Sequence, residues 1–485
     1  MTPLWSALCV VAPLLAAVTQ CIKPRWGAAT SIAALSLIVL GGLGLASALI
    51  ESGAQTIVLS GWSPPLGIVW RIDGLTVTMI LMAGIVGLPV SVYAHHYFSS
   101  SATANRFFWP LWMLLLAALC SLFLSNDLFN WYVTLELLSL SAVALVTLAG
   151  KPAALAAAQR YLYASLLGSL CYLMGVALIY SSYGSLDMTL LRAATEPNTS
   201  VWVAIGLMMA GLLMKSAMFP LHFWLPSAHG AAPAPVSAIL SALVVKGAFY
   251  ILLRIWFDLV PEAPPHSVTL LHGAFGAAAI LWGSLQALRA TRLKMLVAYS
   301  TVAQLGYLAL FFPLSATGEL GQTAIGGIVY FMAAHACAKA AMFLAAGNLQ
   351  RAAGHDQLSA LASTAQALPL SMFAFAIAGV SIMGLPPSGG FVAKWMLLSA
   401  AIMNGAWLWV AVLILGGLLS AAYVFRVLAL SFVDPGPPAE QEAPKRVARS
   451  SEWASLMLAG MALLLGLNAM PMLELMSVGL PAIRP

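Results

Sequence analysis

Long apolar stretches separated by short polar ones recur along the whole chain. At about 20 residues for each bilayer crossing, the chain holds about fourteen of them, at approximately 4–21, 28–50, 75–94, 107–125, 128–149, 158–181, 201–219, 234–257, 267–287, 296–313, 322–346, 366–403, 406–431 and 453–480. The pattern predicts an all-α integral membrane protein. Two stretches are interrupted. The twelfth is broken by GLPPSGG (Gly384 to Gly390), and the seventh runs into FPLHFWLPSAHGAAPAP, with prolines at 220, 226, 233 and 235. Both predict broken helices, which a membrane protein tolerates only where protein or water satisfies the freed backbone groups. The eighth stretch is expected to begin at about Pro235. Residues 51–74 alternate apolar and polar positions and predict an external hairpin. Residues 432–452 form a Pro-rich, mixed-charge linker with no expected packed core. The first stretch lacks a basic leader and reads as a retained span, not a signal peptide.

Composition agrees. Hydrophobic residues make up 62% of the chain and charged ones 7%, against roughly 25% charged in a soluble domain. Mean hydropathy is +0.95. The net charge of +6 reflects loop asymmetry rather than nucleic-acid binding, because no basic–aromatic run is present. Lys23, Arg25, Arg106, Lys151, Arg160, Arg289, Arg292, Lys294, Arg351, Lys445, Arg446 and Arg449 fall on one side; Arg71, Arg192, Arg254 and Arg484 fall on the other. The positive-inside rule then places the first set in the cytoplasm and both termini outside. The five cysteines form no CxxC or Cys/His cluster, so no metal or redox-cofactor site is expected. No Walker or GxGxxG pattern supports nucleotide binding.

The exceptions to the apolar pattern carry the chemistry. Glu136 lies in WYVTLELLSLSAV, Lys215 in GLMMAGLLMKSAMFP, Lys246 in SAILSALVVKGAFY and Lys394 in GGFVAKWMLLSAA. A charge at the bilayer centre costs at least about 2.5–3.5 kcal/mol, so such residues face a protein interior and mark ion pathways. A glutamate paired with a lysine across helices lowers the cost of charging both. His335 and Lys339 are spaced i, i+4 on one helix face, a spacing suited to a proton relay. His222 and His229 flank the interruption after Lys215 and are candidates for proton entry; their alternative reading is ordinary interfacial polarity. A proline-interrupted, lysine-bearing segment occurs at about 205–230 and again at about 376–403, the kind of paired interruption that points to repeats around a midplane ion site.

These segments resemble a known family. KSAMFPLHFWLPSAHGAAPAPVSAILSALVVKGAFYILLR (Lys215 to Arg254), LFNWYVTLELLSL, RLKMLVAYSTVAQLGY, HACAKAAMFLAAGN and GLPPSGGFVAKW are similar to the antiporter-like subunits. Respiratory complex I, membrane-bound hydrogenases and the multisubunit Na+/H+ (Mrp-type) antiporters share such subunits. The resemblance covers about residues 70–430. It implies about 14 transmembrane helices with two inverted five-helix repeats, spans four to eight and nine to thirteen, in which spans seven and twelve are broken. The implied division is 1–106 (helices 1–3 and the hairpin), 107–260 (first repeat), 261–431 (second repeat) and 432–485 (linker and helix 14). It also implies a coupled Glu136–Lys215 pair, Lys246 as central relay with His335 or Lys339 bridging, and Lys394 as outlet. Within the family the chain most resembles the D-type component of Mrp antiporters, and a lysine at 394 argues against hydrogenase-type members and some complex I members. His229 is a departure, since an acidic or small residue is more usual there.

The expected function is therefore proton translocation within a multisubunit monovalent cation (Na+)/proton antiporter of the cell inner membrane. The expected partners are other membrane subunits, protons, Na+ and the bilayer, without a cofactor or nucleic acid. The alternatives are a proton-pumping subunit of a redox-driven complex, complex I-like or hydrogenase-like, and a subunit coupled to inorganic-carbon uptake. The sequence itself leaves open whether the chain serves an enzyme.

Overall fold

A computed structural model describes residues 1–59, 61–260, 264–315, 319–433 and 445–479. Among the described residues, the regular structure is helical apart from one hairpin. In order, the elements are α1 (Thr2–Ile22), α2 (Gly27–Ser52), β1 (Gln55–Val58), β2 (Val69–Ile72), α3 (Gly74–Tyr97), α4 (Ala102–Leu124), α5 (Leu128–Thr147) and α6 (Pro152–Tyr183). Then come α7 (Met188–Ala194), α8 (Thr199–Lys215), α9 (Leu225–Ala231), α10 (Ala234–Ile239), α11 (Val245–Arg254), α12 (His266–Arg289) and α13 (Leu293–Ala309). The last are α14 (Phe311–Leu314), α15 (Glu319–Ala353), α16 (Ala362–Ala367), α17 (Pro369–Met383), α18 (Gly389–Met403), α19 (Trp407–Leu428), α20 (Arg449–Leu467) and α21 (Met470–Ser477). The alternating segment at 51–74 forms the antiparallel pair β1–β2, with Gln55 opposite Ile72.

Among the described residues, twelve helices are long and apolar enough to cross a membrane. The two expected stretches missing from that count are the interrupted ones. They survive as the shorter apolar helices α8, α17 and α18, because Pro and Gly release the backbone before a full crossing is reached. The last stretch, expected as one helix over 453–480, is instead divided. Helix α20 ends at Leu467, and α21 starts with a proline in its first turn. A proline cannot continue the preceding helix, and α21 turns back so that the Val478 carbonyl accepts from Gly74 N at 2.8 Å. Most of the expected 432–452 linker, residues 434–444, lies outside the described residues, as does Arg484.

Helix ends are capped where the sequence offers a short polar side chain. Asp73 accepts from Thr76 N, Asp127 from Asn130 N, Asn198 from Val201 N and Ser388 from Phe391 N, satisfying donors that a helix leaves open at its start. The core is a bundle within the bundle. Residues 234–259 and 327–349 are buried throughout, because α15 is surrounded by α3, α10, α13, α17, α18 and α20. Elements buried on all sides are hydrophobic all round, so any charge in them is shielded from lipid. At α6·α8 the backbones nearly touch: a Cβ at Gly211 would lie 2.3 Å from the Gly168 carbonyl. Small residues are what permit such an approach.

An ionic clip joins the hairpin end of the bundle. Arg254 in α11 holds both carboxylate oxygens of Asp73 at 2.6 Å and also reaches Thr76 and Tyr250 at 2.9 Å. Arg71 contacts Asp73 at 2.9 Å and Asp258 at 2.7 Å, and Arg192 contacts Asp258 at 2.9 Å. Arg254 and Asp73 are buried. Burial by itself would push the Asp73 carboxyl up, but the Arg254 and Arg71 charges outweigh it and bring it down to about 2. The clip's contribution is thus fully present above about pH 3.8 and is lost as pH falls through about 2, since a depressed carboxyl stabilises only while ionised. Asp73→Asn leaves a buried guanidinium without its charge partner, a loss of about 3–5 kcal/mol. The thermal midpoint of the purified protein in detergent should fall for Asp73→Asn, with the difference from wild type constant between pH 7 and pH 5. An unchanged midpoint would remove the clip from the account.

Candidate functional site

Lys215 is the last residue of α8. Past it, the backbone leaves the helix through Ala217, a non-glycine residue at φ +53°. That conformation is sparsely populated and persists only when surrounding packing holds it. The Lys215 ammonium donates to Glu136 Oε1, Ser139 Oγ and Ser165 Oγ, each at 3.0 Å. Ser169 in turn donates to Glu136. Glu136 and Ser139 lie three apart on α5, and Ser165 and Ser169 four apart on α6, so each pair shares a helix face. The Gly168–Gly211 approach draws α6 and α8 close enough for the Ser165 hydroxyl to reach the ammonium. The Lys215 side chain is 4% exposed and that of Glu136 20%, so the pair opens toward the carboxylate.

Lys246 stands at the second position of α11, after a π-helical turn at Leu240–Val244. The π turn leaves the Ser241 carbonyl oriented to accept from Lys246 Nζ at 2.6 Å. Across the interface, Lys246 Nζ and His335 Nδ1 share a hydrogen bond of 2.7 Å. His335 Nε2 has no partner among the described residues. One turn further along α15, Lys339 donates to the Val297 carbonyl at 3.2 Å and to Ser300 Oγ. Thr301 donates to the same carbonyl at 3.1 Å and bonds Ser241 Oγ at 3.0 Å. The Ser241–Thr301 hydroxyl pair and the Val297 carbonyl thus lie between Lys246 and Lys339, without a continuous hydrogen-bond chain from one lysine to the other among the described residues. Both lysines are fully buried, and neither has a carboxylate partner among the described residues.

Lys394 follows the second interruption. The backbone turns at Gly384 (φ +81°), and a Cβ there would meet Lys394 Cδ at 2.6 Å. Lys394 donates to the Ile382 carbonyl at 2.7 Å and lies 4.1 Å from the centre of the Tyr307 ring, a distance at which a cation is attracted to the ring face. Lys215 precedes its break and Lys394 follows its own.

The two entry candidates differ. His222 lies in the interrupted segment, stacked on Phe219 with ring centroids 5.1 Å apart. His229 in α9 is wholly buried, stacks on Phe343 at 4.8 Å, and has both ring nitrogens unpartnered among the described residues. A buried polar group without a partner is rare enough to require an explanation. Lys294, expected at a loop end, is 2% exposed in the first turn of α13 and donates to the Ala232 carbonyl. Arg254, expected at the opposite face, is likewise buried in the clip.

Several contributing residues escaped the sequence reading. Ser139, Ser165, Ser169, Ser241, Ser300, Thr301 and Tyr307 contact the lysines or their partners, yet hydroxyls within apolar stretches are common. The available signal was their i, i+3 and i, i+4 spacing within α5 and α6.

Residues 125–420 match the family described as NADH:quinone oxidoreductase/Mrp antiporter, TM, and residues 63–108 match NADH-Ubiquinone oxidoreductase (complex I), chain 5 N-terminus. The chain is 37% identical over 426 residues to the N-type component of the NADH-quinone oxidoreductase of Desulforudis audaxviator, covering 86% of this chain and 84% of that protein. It is 29% identical to the D-type component of the Na(+)/H(+) antiporter of Alkalihalophilus pseudofirmus, covering 85% and 83%. Among solved structures, a chain of the Mrp complex from Dietzia sp. superposes with a TM-score of 0.89 at 26% identity, covering 98% of this chain and 96% of that one.

Gly384 and Gly405 separate two effects of a side chain on a left-handed turn. Gly405 has φ +65° and open space around it, whereas Gly384 faces Lys394. An alanine at either site costs about 1–2 kcal/mol from the backbone. Gly384→Ala should therefore lower the thermal midpoint more than Gly405→Ala; equal losses would show that Lys394 does not depend on the turn.

Proposed function

Because the chain belongs to the NADH:quinone oxidoreductase/Mrp antiporter membrane family, we propose that it is a proton-translocating membrane subunit of a multisubunit monovalent cation/proton antiporter, with Na+ as the exchanged cation. The observation that carries this reading is the set of buried and half-buried lysines with, among the described residues, a single carboxylate partner. Charges excluded from water at such a cost are kept for conduction. The D-type antiporter relative and the Mrp complex chain support the antiporter assignment. Other membrane subunits of the complex are the partners.

In this mechanism Glu136 and Lys215 form the coupled pair. Protonation of Glu136 removes the counter-charge from Lys215, and a charge change at one ionisable site shifts the balance at its neighbours. Lys246 and His335 share the next proton across their hydrogen bond. Lys339, one turn beyond His335 on α15 and bonded to the Ser300 hydroxyl, takes the proton next, and Lys394 delivers it beside Tyr307. His229, with two unpartnered nitrogens, and His222 form the entry. The two five-helix repeats are assigned to residues 107–260 and 261–431, following the N-terminal helices of 1–106 and preceding the linker and last helix of 432–485. Each repeat then contains one interrupted, lysine-bearing span, for a total of fourteen. The protein is assigned to the cell inner membrane with both termini outside. Even with the buried Lys294 and Arg254 removed from the loop tally, the basic residues divide eleven to three, in the sense of the positive-inside rule.

A second reading, a pumping subunit of a redox-driven complex, draws support from the 37% identity to a component of a quinone oxidoreductase. Identification of copurifying subunits by mass spectrometry separates the two. Small Mrp-like membrane proteins favour the antiporter, and iron–sulfur proteins favour the redox complex.

In everted vesicles carrying the assembled complex, Lys246→Ala and Glu136→Ala should each abolish Na+-dependent proton flux measured with a pH-sensitive dye. Assembly, followed by the copurifying subunits, should persist. Wild-type flux in either variant would refute the relay.

A further inference from the structure

A cavity of about 740 Å³ opens among the helix ends on the face that carries most of the basic loops, a size within the roughly 300–1,000 Å³ of small-molecule sites. Lys151, Arg160, Arg292, Lys294 and Arg351 line it, and no carboxylate among the described residues does. Of the five, only Arg292 has an ion-pair partner among the described residues, Asp356 at 2.9 Å. The Lys294 ammonium, 2% exposed, donates to the Ala232 carbonyl. That bond uses one of its three donors, and the residue lies at the wall of the cavity. Helices α6 and α13 also begin here, and their starts lack a side-chain cap. Uncapped helix starts present backbone N–H groups and positive potential.

We propose that this cavity binds an anionic phosphate group, carried either by a phospholipid headgroup or by a soluble phosphate. Four cations without a carboxylate partner among the described residues surround one cavity and repel one another, and an anion placed among them removes that repulsion. Arg160 and Arg351 supply planar donor forks that match phosphate oxygens, and Lys151 and Lys294 supply point charges. Helix ends lie at the depth of lipid headgroups, where basic pockets between spans collect anionic lipids. The site is distinct from the Glu136–Lys394 row, so its occupancy can be read without measuring transport.

The test uses the full chain, delipidated in detergent. Phosphatidylglycerol and phosphatidylcholine are titrated separately and counted by native mass spectrometry. Inorganic phosphate is titrated in parallel, with the thermal midpoint as the readout. Wild type should bind phosphatidylglycerol in preference to phosphatidylcholine if the ligand is a lipid. If the ligand is soluble, inorganic phosphate should raise the midpoint and displace phosphatidylglycerol. The double variant Lys151→Gln/Arg160→Gln should weaken the preferred probe by about thirty-fold, at roughly five-fold for each basic side chain. Lys151→Arg/Arg160→Lys, which keeps both charges but trades the Arg160 fork for a point charge, should lose less than about five-fold. The proposal is overturned if wild type neither discriminates between the lipids nor responds to phosphate, or if the folded Gln variant binds like wild type. Should the Gln variant misfold, the wild-type titrations and the single variant Lys151→Gln, with its five-fold loss, decide the question.

Discussion

A buried ammonium must find oxygen where there is no water, and much of this fold is organised around that need. Lys215 has a carboxylate. Among the described residues Lys246, Lys294, Lys339 and Lys394 have none, and each takes a backbone carbonyl instead: Ser241, Ala232, Val297 and Ile382 respectively. Regular helix offers few such acceptors, since its carbonyls already bond four residues ahead. Three of the four come from places where the helix is irregular: a π turn, the end of α9 and the broken end of α17. Irregular backbone here supplies the acceptors that water would supply outside.

The packing follows from the same need. Carbonyls exposed to lipid would themselves be unsatisfied, so the irregular turns sit within a sheath of ordinary helices. Helices α10, α11 and α15 fill the centre, and α6, α12 and α19 present their apolar sides outward. The glycine contact between α6 and α8 brings Ser165 to Lys215, and with Ser139 of α5 it takes the place of a second carboxylate. The Asp73–Arg254 clip fixes the far end of α11, whose near end carries Lys246. One helix thus runs from the Asp73–Arg254 ion pair to the Lys246–His335 hydrogen bond.

The span pattern, the two interruptions and the charged residues within apolar stretches were legible in the sequence. Each is a local departure from composition, and Pro, Gly and Lys act there through their own backbone or charge. The pairing of Glu136 with Lys215 was legible only through the family resemblance, because a lone carboxylate in an apolar span requires a cation but does not say which of several lysines supplies it. What stayed hidden depends on distance along the chain. Asp73 and Arg254 lie 181 residues apart, and each alone resembles an ordinary residue at a span end. Lys294 looked like a loop cation because burial of a helix start is decided by α9, not by its own neighbours. The division of the last stretch at Asn468 was obscured by the apolar residues on both sides of it.

The π turn before Lys246 has a consequence of direction. A regular helix advances about 100° with each residue, whereas the wider turn at Leu240–Val244 holds one residue more than the helix would otherwise need. Everything beyond it is rotated by that increment about the common axis. Were the segment one residue shorter and regular, the same lysine at the same depth would point about a quarter-circle away from His335. The contact at the centre of the protein is thus set by an angular phase, written as a single surplus residue, while the residues on either side could be exchanged for others of similar shape.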